Sequence, residues 1–571
     1  MDSQRLAEVA AKWADADPDA QTRDEVRALI QKQDWKELEE RFGAALEFGT
    51  AGLRGTLGGG TNRMNRAVVR RTTAGLARYL KAQVPEVTKR GVVVGRDGRR
   101  MSLEFAQETA AVFAAEGIPA HVFEGVSPTP VTAFALKDLG AVAAVMVTAS
   151  HNPPEYNGYK VYWGNGAQIV PPHDTGIAAA IDAVGPANAI PLLDEQDARS
   201  KKLWLDVPAS LERRYLDAIL ALRPLKKSGD LSIVYTAMHG VGGRWVVQAL
   251  AEAGFKHVTP VPQQQEPDGA FPTVRFPNPE EKGAMDLSTA LAQQVNADIV
   301  LANDPDADRL AMMARDEKGA LRMLTGNEVG VLLGHFLLTQ QKVEKPLVCT
   351  TIVSSAQLKV IAAAKGARFE ETLTGFKWIA NRAMELQPEG YRFVMGYEEA
   401  LGYTVGELVR DKDGVGTALV AADMAQWCKS RGTTLLGYLE EIQREHGLFV
   451  ASQFNATLPG TSGAAQIKAV MANFRSKPIA SIGACSISAA KDYESGTLPL
   501  PKSNVLAWEL NGGHRVTLRP SGTEPKVKVY FEWNEQLQQG EPMSAARARA
   551  AASLAQLEKD FLALARERGL P

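Results

Sequence analysis

Short, uniformly apolar runs alternate along the chain with stretches of helical spacing, and the alternation repeats. In the first copy Val92-Val93-Val94 reads as a strand, Leu103 to Glu116 as a helix capped by Gly117, and Ala120 to Phe123 as a second strand. A further helix and the apolar run Ala141 to Val147, which lacks periodicity and so reads as a buried strand, bring the chain to Ser150. The second copy runs from Ile233-Val234-Tyr235 through a helix to Gly254, a strand near Val258 and a strand Asp298 to Ala302, ending at Asp304. The third takes Pro346 to Thr350, a helix to Gly366, a strand near Phe369 and Tyr391 to Met395, ending at Glu398. From capping glycine to strand-end loop is 33 residues in the first copy and 32 in the third; a Pro-rich insertion near 260–282 stretches the second to 50. Strands interleaved with helices predict three related α/β units, each ending a strand in a polar loop, where open α/β sheets place their ligands.

The flanking segments differ. Residues 1–47 read as peripheral helices, with Thr22-Arg23-Asp24-Glu25 fitting a capping box and Trp35 to Phe42 continuing at helical spacing. From about residue 451, short β-like runs (Val516 to Leu518, Val527 to Phe531) and a closing helix, Ala545 to Arg566, predict a smaller α+β domain. The expected division is therefore 1–210, 211–325, 326–450 and 451–571, in keeping with a length that calls for several domains.

Composition narrows the function classes. With 64 basic and 66 acidic residues the net charge is -2, which gives no electrostatic footprint for nucleic acid or an anionic membrane. The three cysteines lack CxxC spacing, so neither a disulfide framework nor a zinc site is indicated. There is no signal-like apolar region at the start and no run long enough to span a bilayer, and the chain is expected to be cytoplasmic.

The strand-end loops carry the candidate chemistry. Thr148-Ala149-Ser150-His151-Asn152-Pro153-Pro154 presents a serine where two prolines forbid an immediate helix. It reads either as a covalent phosphate carrier or as a turn whose Ser and Asn bond their own backbone. Asn303-Asp304-Pro305-Asp306-Ala307-Asp308-Arg309 sets three carboxylates on alternate residues after a buried strand, a repulsive arrangement without a cation. Oxygen-only ligands suit Mg²⁺. An EF-hand is excluded because Arg309 and Arg315 stand where its Gly and Glu belong. Arg519-Pro520-Ser521-Gly522-Thr523 offers a guanidinium, two hydroxyls and a glycine, either a phosphate cradle or an ordinary β-turn. Glu398 and Glu399, in Gly396 to Tyr403, could accept hydrogen bonds from sugar hydroxyls. The glycines around Arg54 (Gly49, Gly52, Gly55 and 58–60) imply backbone lying close to something. A P-loop, a complete dinucleotide fingerprint and a GxSxG elbow are absent. His151 joins the catalytic candidates, although adjacency to Ser150 does not by itself make a nucleophile–base pair.

A serine nucleophile, a carboxylate metal site, a hydroxyl-binding acid pair and a remote phosphate cradle combine into one chemistry, phosphoryl transfer between serine and a phosphorylated polyol. In motif order and over nearly its whole length the chain resembles the α-D-phosphohexomutase superfamily. TASHNPPEYNGYK (148–160) is similar to the phosphoserine loop, DPDADR (304–309) to the Mg²⁺ loop, GYEEALGY (396–403) to the sugar loop and RPSGTEPK (519–526) to the phosphate-binding loop. The N-terminal extension, FGTAGLRG, GFKW (375–378) and VRDKDG (409–414) look most like the phosphoglucomutase-2 and phosphopentomutase branch.

The resemblance implies four domains around a central cleft, three of them related. It implies that Ser150 is phosphorylated and that Asp304, Asp306 and Asp308, with a phosphoserine oxygen, hold Mg²⁺. Arg54 and Arg309 would contact the transferring group. Lys160 or Lys412 would move the proton, each needing a depressed pKa to act as a base. Glu398 and Glu399 would take sugar hydroxyls, Lys377 and Trp378 would help set the sugar's identity, and Arg519, Ser521, Gly522, Thr523 and Lys526 would hold the distal phosphate. The partners implied are small sugar phosphates, with glucose 1,6-bisphosphate as activator and a monomer or weak homodimer as the enzyme. Ala400 stands where many members have serine, which puts strict glucose selectivity in doubt. The order expected is glucose phosphate first, ribose or deoxyribose phosphate second and mannose phosphate third, with a non-catalytic sugar-phosphate sensor as the alternative from another class.

Overall fold

The computed structural model describes residues 2–49, 52–226, 229–316, 318–458, 461–520 and 526–570. The chain forms two compact units, one of Met1–Leu324 with Leu401–Gly432 and the other of Thr325–Ala400 with Thr433–Pro571. The backbone therefore changes unit three times, after Leu324, Ala400 and Gly432.

The first unit begins with helices Ser3–Ala16, Ala20–Lys32 and Trp35–Phe42, which close a small core of Leu6, Ala10, Val26, Leu38 and Phe42. The capping box expected at Thr22 is not the start of the second helix. Asp19 caps it by accepting from the Gln21 N–H, and Thr22, already helical, donates its hydroxyl to Asp17 at 2.5 Å. An aspartate one turn earlier does the same work as well as a threonine. The glycine run 58–60 lies against these helices: Arg41 donates to the Gly59 carbonyl at 3.2 Å while holding Glu25 at 2.9 Å and Glu37 at 2.7 Å.

A six-stranded sheet follows, in the order Leu53–Thr56, Tyr156–Trp163, Ala143–Val147, Val92–Arg96, Ala120–Val122, Trp204–Asp206. The last four strands are parallel and the first two are antiparallel additions. Ala143–Val147 is buried along its whole length, as its unbroken apolar run requires. Arg54 lies within the edge strand, opposite Gly158 of the strand that leaves the serine loop, and not in a free glycine loop.

A second sheet of the same unit has the order Leu321–Met323, Ala311–Arg315, Ile299–Ala302, Ser232–Thr236, His257–Pro260. Its buried strand Ile299–Ala302 runs parallel to Ser232–Thr236 and delivers the aspartate loop. Helix Gly414–Ser430 belongs to this unit too, capped by Asp413, which accepts from the Val415 and Gly416 N–H groups.

In the second unit, Pro346–Thr351 pairs in parallel with Arg368–Thr372 and Arg392–Glu398. Glu398 is thus the last residue of its strand, three positions beyond the expected strand end at Met395. The antiparallel sheet after residue 447 orders Leu448–Thr457, Lys526–Glu535, His514–Pro520, Leu506–Leu510, Cys485–Asp492 and Ser481–Ile482, and helix Met543–Glu567 covers it with Leu557 and Phe561 in the shared core. No helix among the described residues is long and apolar enough to cross a membrane.

Candidate active site

Ser150 sits just past the buried strand Ala143–Val147 with φ +52°, left-handed backbone that a β-substituted residue adopts at a cost. Ala307, between the second and third aspartates, has φ +56°. Both strained residues lie in the loops the sequence singles out. Ser150 is 2% exposed; its N–H bonds the Thr148 hydroxyl at 2.9 Å, and its own hydroxyl donates to Asp304 Oδ2 at 2.8 Å. His151 Nδ1 lies 3.2 Å from the same Oγ.

Asp304, Asp306 and Asp308 are buried, and one carboxylate oxygen from each lies within 4.8 Å of the others. Among the described residues Asp306 Oδ1 and Asp308 Oδ1 are buried without a hydrogen-bond partner. Two orphaned anionic oxygens converging with a third carboxylate are what a hard divalent cation takes up, so the donor set fits one. Cations of the chain lie around it. Lys160 Nζ bonds Asp306 at 2.7 Å and Asp308 at 3.0 Å, and Lys412 Nζ reaches Asp308 at 3.2 Å and Asp411 at 3.0 Å, while the backbone N–H of Arg309 donates to Asp304 at 3.0 Å. Arg54 donates to the Asn152 side chain at 3.0 Å.

This crowding fixes the ionisation. Burial, with the charges of Asp306 and Asp308, pushes the Asp304 carboxyl well above the usual carboxylate range. Burial acts the same way on Asp306 and Asp308, but Lys160 outweighs it for both, helped at Asp308 by Lys412 and Arg309, and holds them low. Burial alone would lower the Lys160 ammonium; the two aspartates outweigh it and raise its pKa. The depressed pKa expected of Lys160 as a base is therefore the wrong direction for the site in this state. Burial, then the positive Arg309 and Arg54, hold His151 well below the ordinary histidine value, so it is neutral.

The sugar-loop and cradle candidates belong to the second unit. Glu398 accepts from the Gly375 N–H at 2.7 Å, and Gly375 has φ +115°, so the carboxylate pins the turn that opens helix Phe376–Leu386. Glu399 accepts from the Ser354 hydroxyl at 3.1 Å and the Thr351 hydroxyl at 3.4 Å, and burial with the neighbouring Glu398 raises its pKa. Lys377 is buried in the first turn of that helix; Trp378 packs on the cluster of Ile352, Leu373 and Tyr530. Arg519 pairs opposite Lys528 near the end of its strand, and Lys526 begins the next one. Ser521, Gly522 and Thr523 lie outside the described residues.

Four family models match the chain: the phosphoglucomutase/phosphomannomutase α/β/α domains I (residues 45–187), II (213–319) and III (325–445), and the C-terminal domain (456–541). The chain belongs to the phosphoglucomutase/phosphomannomutase family. A phosphopentomutase of Mus musculus is 38% identical, with 92% of this chain and 90% of the relative covered. A human glucose 1,6-bisphosphate synthase is 36% identical over the same shares. Among solved structures, a family protein of Burkholderia thailandensis shares the fold at TM-score 0.69 and 19% identity, covering 92% of this chain and 98% of its own. The chain is accordingly a phosphomutase, an isomerase-class phosphotransferase.

Several residues of this phosphomutase's site escape sequence reading. The buried Arg99 donates from one nitrogen to the Pro153 and Tyr156 carbonyls (2.8 and 3.2 Å) and from another to those of Ser150 and Asn152 (2.6 and 2.5 Å), bracing the serine loop from behind. Asp97 stands beside it at 3.4 Å. Thr129 donates its hydroxyl to Asp306 Oδ2 at 2.5 Å. The signal available was Arg96-Asp97-Gly98-Arg99, a charged turn closing a buried strand. Asp411 collects Tyr162 (2.6 Å), Gln168 (2.9 Å) and Lys412, fixing the last beside Asp308.

Proposed function

We propose that the enzyme moves a phosphoryl group between the anomeric and terminal positions of an aldose phosphate through phospho-Ser150. The observation that carries this reading is the Ser150 hydroxyl, held on left-handed backbone 2.8 Å from a carboxylate of the buried aspartate triad. Asp304, Asp306 and Asp308, with an oxygen of the phosphorylated Ser150, would hold Mg²⁺. Bound there, it neutralises charge on the transferring group and lets all three carboxylates ionise.

In the first half-reaction the free terminal hydroxyl of a sugar 1-phosphate attacks the phosphorus of phospho-Ser150. The new P–O bond forms as the Oγ–P bond breaks, and the hydroxyl's proton passes to a basic group. Neutral His151, at 3.2 Å from Oγ, is positioned to take the serine proton when Oγ attacks in the return step, while the Lys160 ammonium suits an acid that protonates the serine oxygen as it departs in the first. The bisphosphate then turns round, its anomeric phosphate returns to Ser150, and the terminal phosphate leaves on the sugar. Arg54 and Arg309 would steady the transferring group and Lys412 would help orient the site. Glu398, Glu399, Lys377 and Trp378 would contact the sugar, and Arg519, Ser521, Gly522, Thr523 and Lys526 the distal phosphate. That grip supplies remote binding energy. The four-part division at 210, 325 and 450 belongs to the same proposal, supported by where the four family models fall.

For the sugar, we place pentose 1- and 5-phosphates first and glucose 1- and 6-phosphates second. This reverses the order expected from the motifs. Ala400 withholds a hydroxyl from the sugar loop, and a relative matched over most of its length is named a phosphopentomutase. The human relative's name, a glucose 1,6-bisphosphate synthase, favours keeping glucose as a substrate and its bisphosphate as activator. A coupled assay with Mg²⁺ and catalytic bisphosphate, in which ribose 1-phosphate and glucose 1-phosphate compete, tests both parts. The expected result is a higher specificity constant for the pentose and no turnover by Ser150→Ala. A preference for glucose restores the other order, and full activity of Ser150→Ala overturns the mechanism.

A further inference from the structure

A second constellation of ligating groups lies in the unit formed by Thr325–Ala400 and Thr433–Pro571, apart from every motif the mutase chemistry uses. His335 comes from helix Gly326–Gln340, and Glu445 with His446 from the end of helix Leu435–His446. Their ligand atoms lie within 4.8 Å of one another. Both histidines are 6% exposed, their rings 5.3 Å apart between centroids. Among the described residues, Nε2 of His335 and Nε2 of His446 are each buried without a hydrogen-bond partner, although Glu445 Oε1 lies 3.3 Å from the latter.

Two orphaned imidazole nitrogens in one buried spot are costly unless something takes their lone pairs. From these positions we propose that His335, His446 and Glu445 form a second metal site, selective for zinc or a similar borderline cation, which clips the two helices together.

Four features of the site fit that ligand. Two imidazoles and one carboxylate are a common zinc donor set, whereas the oxygen-only triad near Ser150 suits Mg²⁺. His335 Nδ1 lies 2.6 Å from the Tyr438 hydroxyl, the outer partner a ligating histidine needs; with the proton on Nδ1, Nε2 presents its lone pair. Both rings are buried, and burial favours the neutral imidazole that binds metal. His446 ends its helix, where the exposed carbonyls favour a cation. Tetrahedral zinc at about 2.0–2.1 Å from each nitrogen sets ligands about 3.4 Å apart, close to the 3.3 Å between His446 Nε2 and Glu445 Oε1. The Glu445 side chain is exposed. Its present partners are His446 Nε2, 3.3 Å away, and Lys365 Nζ, 3.7 Å away, a cation that competes with the metal.

The test uses the full-length enzyme, stripped of metal and then held in excess Mg²⁺ so that the oxygen site is satisfied. Titration with Co²⁺ should give one equivalent with an intense tetrahedral visible band, and Zn²⁺ should displace it and raise the melting temperature. Glu445→Ala should weaken Zn²⁺ binding, measured against a chromophoric chelator, by at least about tenfold. Lys365→Ala should tighten it, which a merely structural lysine would not do. His335→Gln should abolish the band. The proposal fails if the wild type gives no intense band, or if Glu445→Ala and Lys365→Ala both bind as the wild type does. Because those two side chains lie at the surface, the result stands even if His335→Gln does not fold.

Discussion

At the scale of single residues, the site depends on side chains whose partners are backbone carbonyls. Arg99 is the clearest case, since its guanidinium serves four carbonyls of the serine loop and is buried with Asp97. Arg99→Ala leaves that carboxylate unpaired, which costs about 3–5 kcal/mol and is read from urea denaturation. Arg99→Lys should recover part of the stability but little of kcat, because one ammonium cannot span four acceptors. Asp413 gives a pH dependence. Burial raises its pKa to about 6, against the opposing hydrogen bonds from Gly416, Tyr215 and Val415. The folded state thus binds the proton more tightly than the unfolded chain, so this group's contribution to stability falls as pH rises from about 4 to about 6 and stays reduced above. Asp413→Asn keeps an amide oxygen for the cap and removes that loss. Melting temperatures of wild type and variant should diverge between pH 4 and 7, in the variant's favour at the upper end.

At the scale of elements, the strands and helices were legible in the sequence because each buried strand is an apolar run and each strand end carries its chemistry contiguously. Ser150 and Asp304 could be assigned to one site on that basis and Lys160 by the family resemblance, and the structure brings them together with Lys412. What the sequence hides is contact between distant segments. Arg99's carbonyl partners lie more than fifty positions away, and Glu398's hydrogen bond to Gly375 spans 23. Local competition misleads as well, as at Thr22, where Asp19 takes the cap. The start of helix Gly414–Ser430 shows how tightly these segments meet. A Cβ on Gly414 would run into the carbonyls of Arg309 and Ala307 and the Asn303 side chain, all in the aspartate loop. Gly414→Ala should therefore lower kcat by more than tenfold and destabilise by about 1–3 kcal/mol, measured by steady-state kinetics beside thermal melts.

At the scale of the whole molecule, charge compensation within the aspartate triad has a measurable result. Lys160 and Lys412 already face Asp306 and Asp308, so removal of divalent metal with EDTA should abolish turnover while circular dichroism shows the native fold. Unfolding of the stripped protein on metal removal alone would contradict this. The threefold passage of the chain between its units has a different consequence, for birth on the ribosome. The first unit owns Leu401–Gly432, so roughly three quarters of the polypeptide must leave the exit tunnel before it holds all its own parts. Until then its second sheet lacks helix Gly414–Ser430 and exposes apolar surface to chaperones. A chain stopped at Leu324 should be captured by them or aggregate, and one stopped some forty residues beyond Gly432 should resist protease through its first unit while still tethered to the ribosome.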